Sequence, residues 1–134
     1  MTGAVARRRQ GYQHEVEIRE HRLIVDEPED AGGTDSGPGP TELLAASLAT
    51  CTAITMEMYA NRKDWDLGDI EVAVGFRAAS HDEGPKFTVK ISVPAALEDD
   101  QLDRLLVIAH KCPVHRALLA QNVEIDDSLE LIEA

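Results

Sequence analysis

An α+β fold, with an antiparallel sheet packed on a long central helix, follows from three observations. The segment from Leu43 to Met56 carries no charge. Two later runs alternate apolar and polar residues, and a third amphipathic stretch is interrupted by Pro113. The element order these signals predict, ββ-α-ββ-α-α-β, brings strands in pairs, as an antiparallel sheet built from hairpins requires. With 134 residues and 43% hydrophobic content, the chain fits one domain, 1–134, with enough apolar material for a core.

Taken in order, residues 1–10 are polar and basic without periodicity and read as a flexible N-terminal arm. Tyr12, Val16 and Ile18, then Leu23 and Val25 after the polar break Arg19-Glu20-His21, predict two strands of a hairpin. Asp26 to Gly39 is rich in Pro, Gly, Asp and Ser and reads as a long loop, a length more often functional than not.

The central helix begins near Pro40, whose missing N–H suits a first turn. Thr41 can cap it, and Glu42 lies where the positive end of the helix dipole favours a carboxylate. Leu44, Leu48, Cys51, Thr55 and Met58 follow a 4-3-4-3 spacing and share one stripe. Leu43, Ala46 and Ile54 make the opposite side apolar as well, so the helix needs cover on more than one side, which a small domain obtains most readily by dimerising. The uncharged run is 14 residues, about 21 Å of helix, too short to span a bilayer. Asn61-Arg62-Lys63 places basic side chains at the negative end of the dipole, and Leu67-Gly68-Asp69 turns the chain. Trp65 reads as a packing anchor.

Ile70, Val72, Val74 and Phe76, then Phe87, Val89, Ile91 and Val93, define a β-hairpin with one core face. Glu98-Asp99-Asp100 opens a helix with the apolar stripe Leu102, Leu105, Leu106 and Ala109. Because the residue before a proline is pushed out of the α region, Cys112 is placed at a bend ahead of a short helix from Pro113 to Ala120. Val123, Ile125, Leu129 and Leu131 predict a last strand or two.

A net charge of −12 argues against nucleic acid or an anionic membrane surface as partner. Arg7-Arg8-Arg9 is followed by polar residues rather than an apolar signal core, so a cytoplasmic location is expected. Cys51 and Cys112 lie 61 positions apart; in a reducing compartment such a pair is more often free thiols, metal ligands or a redox pair than a structural disulfide. The start of a helix gives Cys112 a local reason for a lowered pKa. Cys51, in mid-helix, has none and needs a cation from elsewhere, Arg19 and Arg22 being candidates by type. Otherwise Cys51 is a small buried hydrophobe. Cys112-Pro-Val-His115, with His110, has the look of half a metal site without its second pair; the two histidines are more often capping or surface residues. Glu42 is a first-turn carboxylate or a partner holding a cation near the thiol.

Gly37-Pro-Gly-Pro-Thr-Glu-Leu-Leu-Ala-Ala-Ser-Leu-Ala-Thr-Cys51-Thr-Ala together with His110-Lys-Cys112-Pro-Val-His115 resembles the OsmC/Ohr family of thiol-dependent organic hydroperoxide reductases. The resemblance implies an intertwined homodimer with the site at the subunit interface. It implies that Cys51 attacks an alkyl or fatty-acid hydroperoxide and becomes a sulfenic acid, and that Cys112 resolves it as a disulfide. A dithiol or lipoylated-protein reductant then opens the disulfide, with no metal or other cofactor. Two departures stand out: Thr41 occupies the position of the family's first helical glutamate, with Glu42 one place later, and the family arginine has two possible counterparts, Arg19 and Arg22. A non-enzymatic module that binds a hydrophobic ligand or senses oxidants through the same thiols is the alternative from another class.

Overall fold

The computed structural model describes residues 2–94 and 96–133. Strands β1 (Val5–Gln10), β2 (Gln13–Ile18) and β3 (His21–Val25) form one antiparallel sheet. Helix α1 (Pro40–Arg62) follows, then the hairpin β4 (Glu71–Arg77) and β5 (Lys86–Ser92), and helices α2 (Asp99–Ala109) and α3 (Pro113–Leu119). This is the α+β arrangement the sequence predicts, with antiparallel sheets and a long helix. The expected hairpin of the early region is β2–β3, pairing Val16 with Leu23 and His14 with Val25. The arm expected at residues 1–10 is not uniformly loose, because Val5–Gln10 pairs with β2. Its arginines carried the signal that periodicity lacked: Arg7 lies across from Glu15, and Arg7 and Arg9 form diagonal ion pairs with Glu17 and Glu15 at 3.9 and 3.6 Å, an opposite-charge cross-strand pattern.

Helix α1 runs within a residue of its predicted bounds. Its start is fixed by Glu42, whose carboxylate accepts the Gly39 N–H at 2.8 Å, while the Leu43 N–H donates to the Gly39 carbonyl. Gly39, not Thr41, occupies the cap position. By length and composition the 23-residue helix could cross a membrane, which the uncharged run alone did not suggest; in this fold it packs on β4, α2 and α3. Its buried stripe is Leu48, Thr52, Met56 and Ala60. Leu44 and Met58, expected on the core stripe, are exposed instead. A helix apolar all round gives no periodic signal to choose its face, so the neighbours decide.

Met56 and Ala60 meet Leu67, Leu105 and Ala109 to form the core, with Tyr59, Trp65, Ile70 and Ile91 packed at its edge. Trp65 is the expected anchor, edge-on to Tyr59 with ring centroids 5.6 Å apart. The Tyr59 hydroxyl also accepts from Arg104 Nε at 3.1 Å, tying α2 to α1. In β4–β5, Val72, Val74 and Phe76 face Ile91, Val89 and Phe87 in register, as alternation predicts. Of the α2 stripe, Leu105 and Ala109 are buried with Ile108, whereas Leu102 and Leu106 are exposed. The predicted last strands do not form among the described residues; Val123 to Leu131 has no regular secondary structure, with Leu129 and Leu131 almost fully exposed. Within one copy no open strand edge receives this segment.

The loop between β3 and α1 is organised around a carboxylate. Asp26 is 1% exposed and accepts from the Glu27 N–H at 2.7 Å, the Thr34 hydroxyl at 2.6 Å, and the Thr34 and Ser36 N–H groups at 3.1 Å each. The loop closes so tightly that a Cβ at Gly33 would collide with the Glu27 carbonyl, and one at Gly37 with that of Ile24.

Candidate functional site

Cys51 lies on α1 between two residues of the buried stripe, Leu48 and Thr52, and is half-buried. Cys112 caps α3 and is fully buried. Both thiols are free, and α1 and α3 pack together, bringing the Cys51 thiol near enough to that of Cys112 to affect its ionisation. The fold thus unites two cysteines 61 positions apart in the chain.

Cys112 departs from expectation in its ionisation. Burial raises its thiol pKa, and the neighbouring Cys51 thiol raises it further; the backbone N–H groups of His115 and Val114 act the other way and do not prevail. The His115 N–H reaches the Cys112 sulfur at 3.5 Å. A seven-residue helix start therefore supplies a favourable field, but desolvation of the thiolate outweighs it.

Two cavities of mixed polarity, of about 310 and 230 Å³, are lined by chain neighbours of the thiols, though not by the cysteines themselves. Leu48, Leu118 and Lys86 line the first; Thr52, Leu106 and His110 line the second; Phe87, Val89 and His115 line both. His115 is half-buried and His110 exposed, and their rings stack with centroids 5.3 Å apart. His110 does occupy the α2 cap expected for it, but His115 is more than a surface residue. A basic ring three positions after a thiol was its only sequence signal, and it fits a helix cap equally well.

The cationic candidates lie elsewhere in the chain. Arg22 bonds Glu15 at 2.6 Å and Glu17 at 3.1 Å on the charged face of the first sheet, and the hydrogen bond to Glu15 followed by the charge of Glu17 raises its pKa. Arg19 occupies the β2–β3 turn with φ 55°. Neither has a hydrogen bond or ion pair to the thiol pair among the described residues. Glu42 serves the helix start and has no ion pair among them, and no group of three or more His, Cys, Asp and Glu side chains there could hold a metal. A larger cavity of about 760 Å³ lies between the first sheet and the start of α1, lined by Tyr12, His14, Val16, Val25, Pro40 and Leu43 among others.

Fold and thiol pair together define a two-cysteine protein of the α+β class. The OsmC-like protein family model matches residues 33–127, and the chain belongs to that family. The organic hydroperoxide resistance protein OsmC of Legionella pneumophila is similar at 25% identity and a TM-score of 0.65, over 89% of each chain. The organic hydroperoxide resistance protein OhrB of Bacillus subtilis shares the fold at 22% identity and 0.62, covering 90% of this chain and 92% of that one. An OsmC-like protein of Mycoplasma pneumoniae shares it at 17% and 0.70, covering 90% and 89%. No curated protein matches the chain in sequence.

Proposed function

We propose that this protein is a thiol peroxidase that reduces organic hydroperoxides, alkyl or fatty-acid, to alcohols. The thiolate of Cys51 attacks the distal peroxide oxygen; the O–O bond breaks, the alcohol leaves with a proton, and Cys51 becomes a sulfenic acid. Cys112 displaces its hydroxyl as water, forming a disulfide that a dithiol or lipoylated protein reduces. The observation that carries this reading is the proximity of the Cys51 and Cys112 thiols, brought together by the packing of α1 on α3. The names of solved OsmC and OhrB relatives agree with it.

The reading includes a homodimer. Leu44, Ile54 and Met58 of α1 are exposed, as are Ile125, Leu129 and Leu131, and a second copy would cover them. It would also bring a guanidinium to Cys51, with Arg19 and Arg22 as the donors to test and Glu42 as a partner for either. The free thiols suit a cytoplasmic setting.

A peroxidase assay with cumene or linoleic hydroperoxide and dihydrolipoamide tests the activity. Turnover is expected in the parent and absent in Cys51→Ser, with a single turnover in Cys112→Ser. Equal rates in Cys51→Ser and parent would dispose of the proposal. The large cavity beside Tyr12 and Leu43 favours a second reading, a redox-sensing or hydrophobic-ligand-binding module; saturable fatty-acid binding without peroxide turnover would select it.

A further inference from the structure

Resting on the homodimer reading above, we propose that residues 123–131 of each copy add as an antiparallel strand to the outer edge of β1 in the other copy. That edge is open. Strand β1 pairs only with β2, all six of its residues are exposed, and its outward N–H and C=O groups have no strand partner among the described residues. The outer edge of β3 is not equivalent, because the loop after Asp26 returns along it: the Asp26 N–H donates to the Pro38 carbonyl at 3.1 Å, and Gly37 lies against Ile24.

Segment and edge match on both faces. In the segment, Val123, Ile125, Leu129 and Leu131 share one parity, and Glu124, Asp126 and Glu130 share the other. In the first sheet, Ala6 is paired with Val16, and Arg8 with His14, which lies across from Val25; Ala6, His14, Val16 and Val25 line the cavity of about 760 Å³ together with Leu43. The opposite face carries the ion pairs of Arg7, Arg9 and Arg22 with Glu15 and Glu17, three guanidinium groups to two carboxylates. The side chains of Arg7 and Arg9 are 63% and 54% exposed. An added strand therefore extends the cavity wall with its apolar residues and offsets the surplus positive charge with its acids. A register with Leu129 across from Ala6 brings Asp126 across from Arg9, and Asp127, the one acid of the apolar parity, across from Arg8.

The occupant is a second copy because the segment finds no cover in its own, where Leu129 is 97% and Leu131 99% exposed. At ~3.3 Å per residue it is about 30 Å long and covers the six residues of β1 completely. A two-fold axis makes the junction twice, each tail on the other copy's edge. Main-chain hydrogen bonds supply attachment, and the alternate side chains select this edge.

Sedimentation equilibrium on full-length variants tests the seat. In D126K/D127K, altered only at exposed positions of the segment, the dimer dissociation constant is expected to rise at least about 10-fold, because like charges then meet at both junctions. R8E/R9E is expected to behave the same way. An equimolar mixture of the two variants should recover the parent's affinity as a heterodimer, since each tail then faces an edge of opposite charge. Should R8E/R9E fail to fold, R9E takes its place in the mixture. A dissociation constant unchanged in D126K/D127K overturns the proposal and leaves the homodimer standing. Weakening that mixing does not relieve also overturns it, as a tail seated within its own copy on the edge of β5 would produce. A parent that stays monomeric removes both the proposal and the homodimer. Heterodimer recovery in a protein that consumes no hydroperoxide keeps the seat and sinks only the peroxidase reading.

Discussion

Thr34 donates both its hydroxyl and its backbone N–H to one carboxylate oxygen of Asp26, at 2.6 and 3.1 Å. With Ser36 and Glu27 these bonds hold the carboxyl at a pKa of about 2, below its ordinary value, against the opposing effect of burial; the Thr34 hydroxyl contributes most. The folded carboxyl titrates below the unfolded one. Its stabilisation is thus complete above the unfolded pKa of about 3.9 and fades as pH falls towards 2. Asp26→Asn is expected to unfold at lower urea than the parent at pH 7, and the gap between them should narrow between pH 4 and pH 2. Urea midpoints at several pH values check this; a gap of constant size would contradict it.

The thiols should react in a fixed order. Cys51 is half-buried, while Cys112 has no exposed surface and a raised pKa. Iodoacetamide at pH 7.5 is expected to alkylate Cys51 at least 10-fold faster, with Cys112 labelled only after denaturation. Peptide mass spectrometry over a time course reads the order, and parallel labelling would refute it.

Leu105, 2% exposed, packs between Met56, Ala60 and Leu67. Leu105→Ala is expected to lose about 2–5 kcal/mol of folding stability through lost burial and a residual cavity. Denaturant unfolding measures the loss. An effect below 1 kcal/mol would place α2 outside the cooperative core.

Arg22 separates chemistry from folding. Its side chain is 63% exposed and its ion pairs lie on the sheet surface, so Arg22→Ala should leave the urea midpoint close to that of the parent. A peroxidase rate lowered at least 10-fold in that variant would then report on the thiol rather than on the fold. The same measurement on Arg19→Ala identifies which guanidinium, if either, a second copy brings to Cys51.

Elements with strong local periodicity were legible in the sequence. The β4–β5 register and both ends of α1 followed from alternation at Val72 to Phe76 and from Pro40, Glu42 and Arg62. The buried face of α1 was not, because apolar residues surround the helix and only packing against β4, α2 and α3 selects Leu48, Thr52 and Met56. Likewise, Val123 to Leu131 has the pattern of a strand, but a strand also needs a neighbour. In the site, both cysteines were legible through motif and local geometry. The raised pKa of Cys112 was not, since helix position is a local property and desolvation a tertiary one. Asp26 looked like any loop carboxylate, because its donors at Thr34 and Ser36 are eight and ten positions away.

Gly33 and Gly37 run their backbones against neighbouring carbonyls with no room for a methyl group. Anyone randomising this loop should therefore hold these two codons constant and diversify the others. Libraries that ignore this would lose most members to misassembly before selection had acted on chemistry.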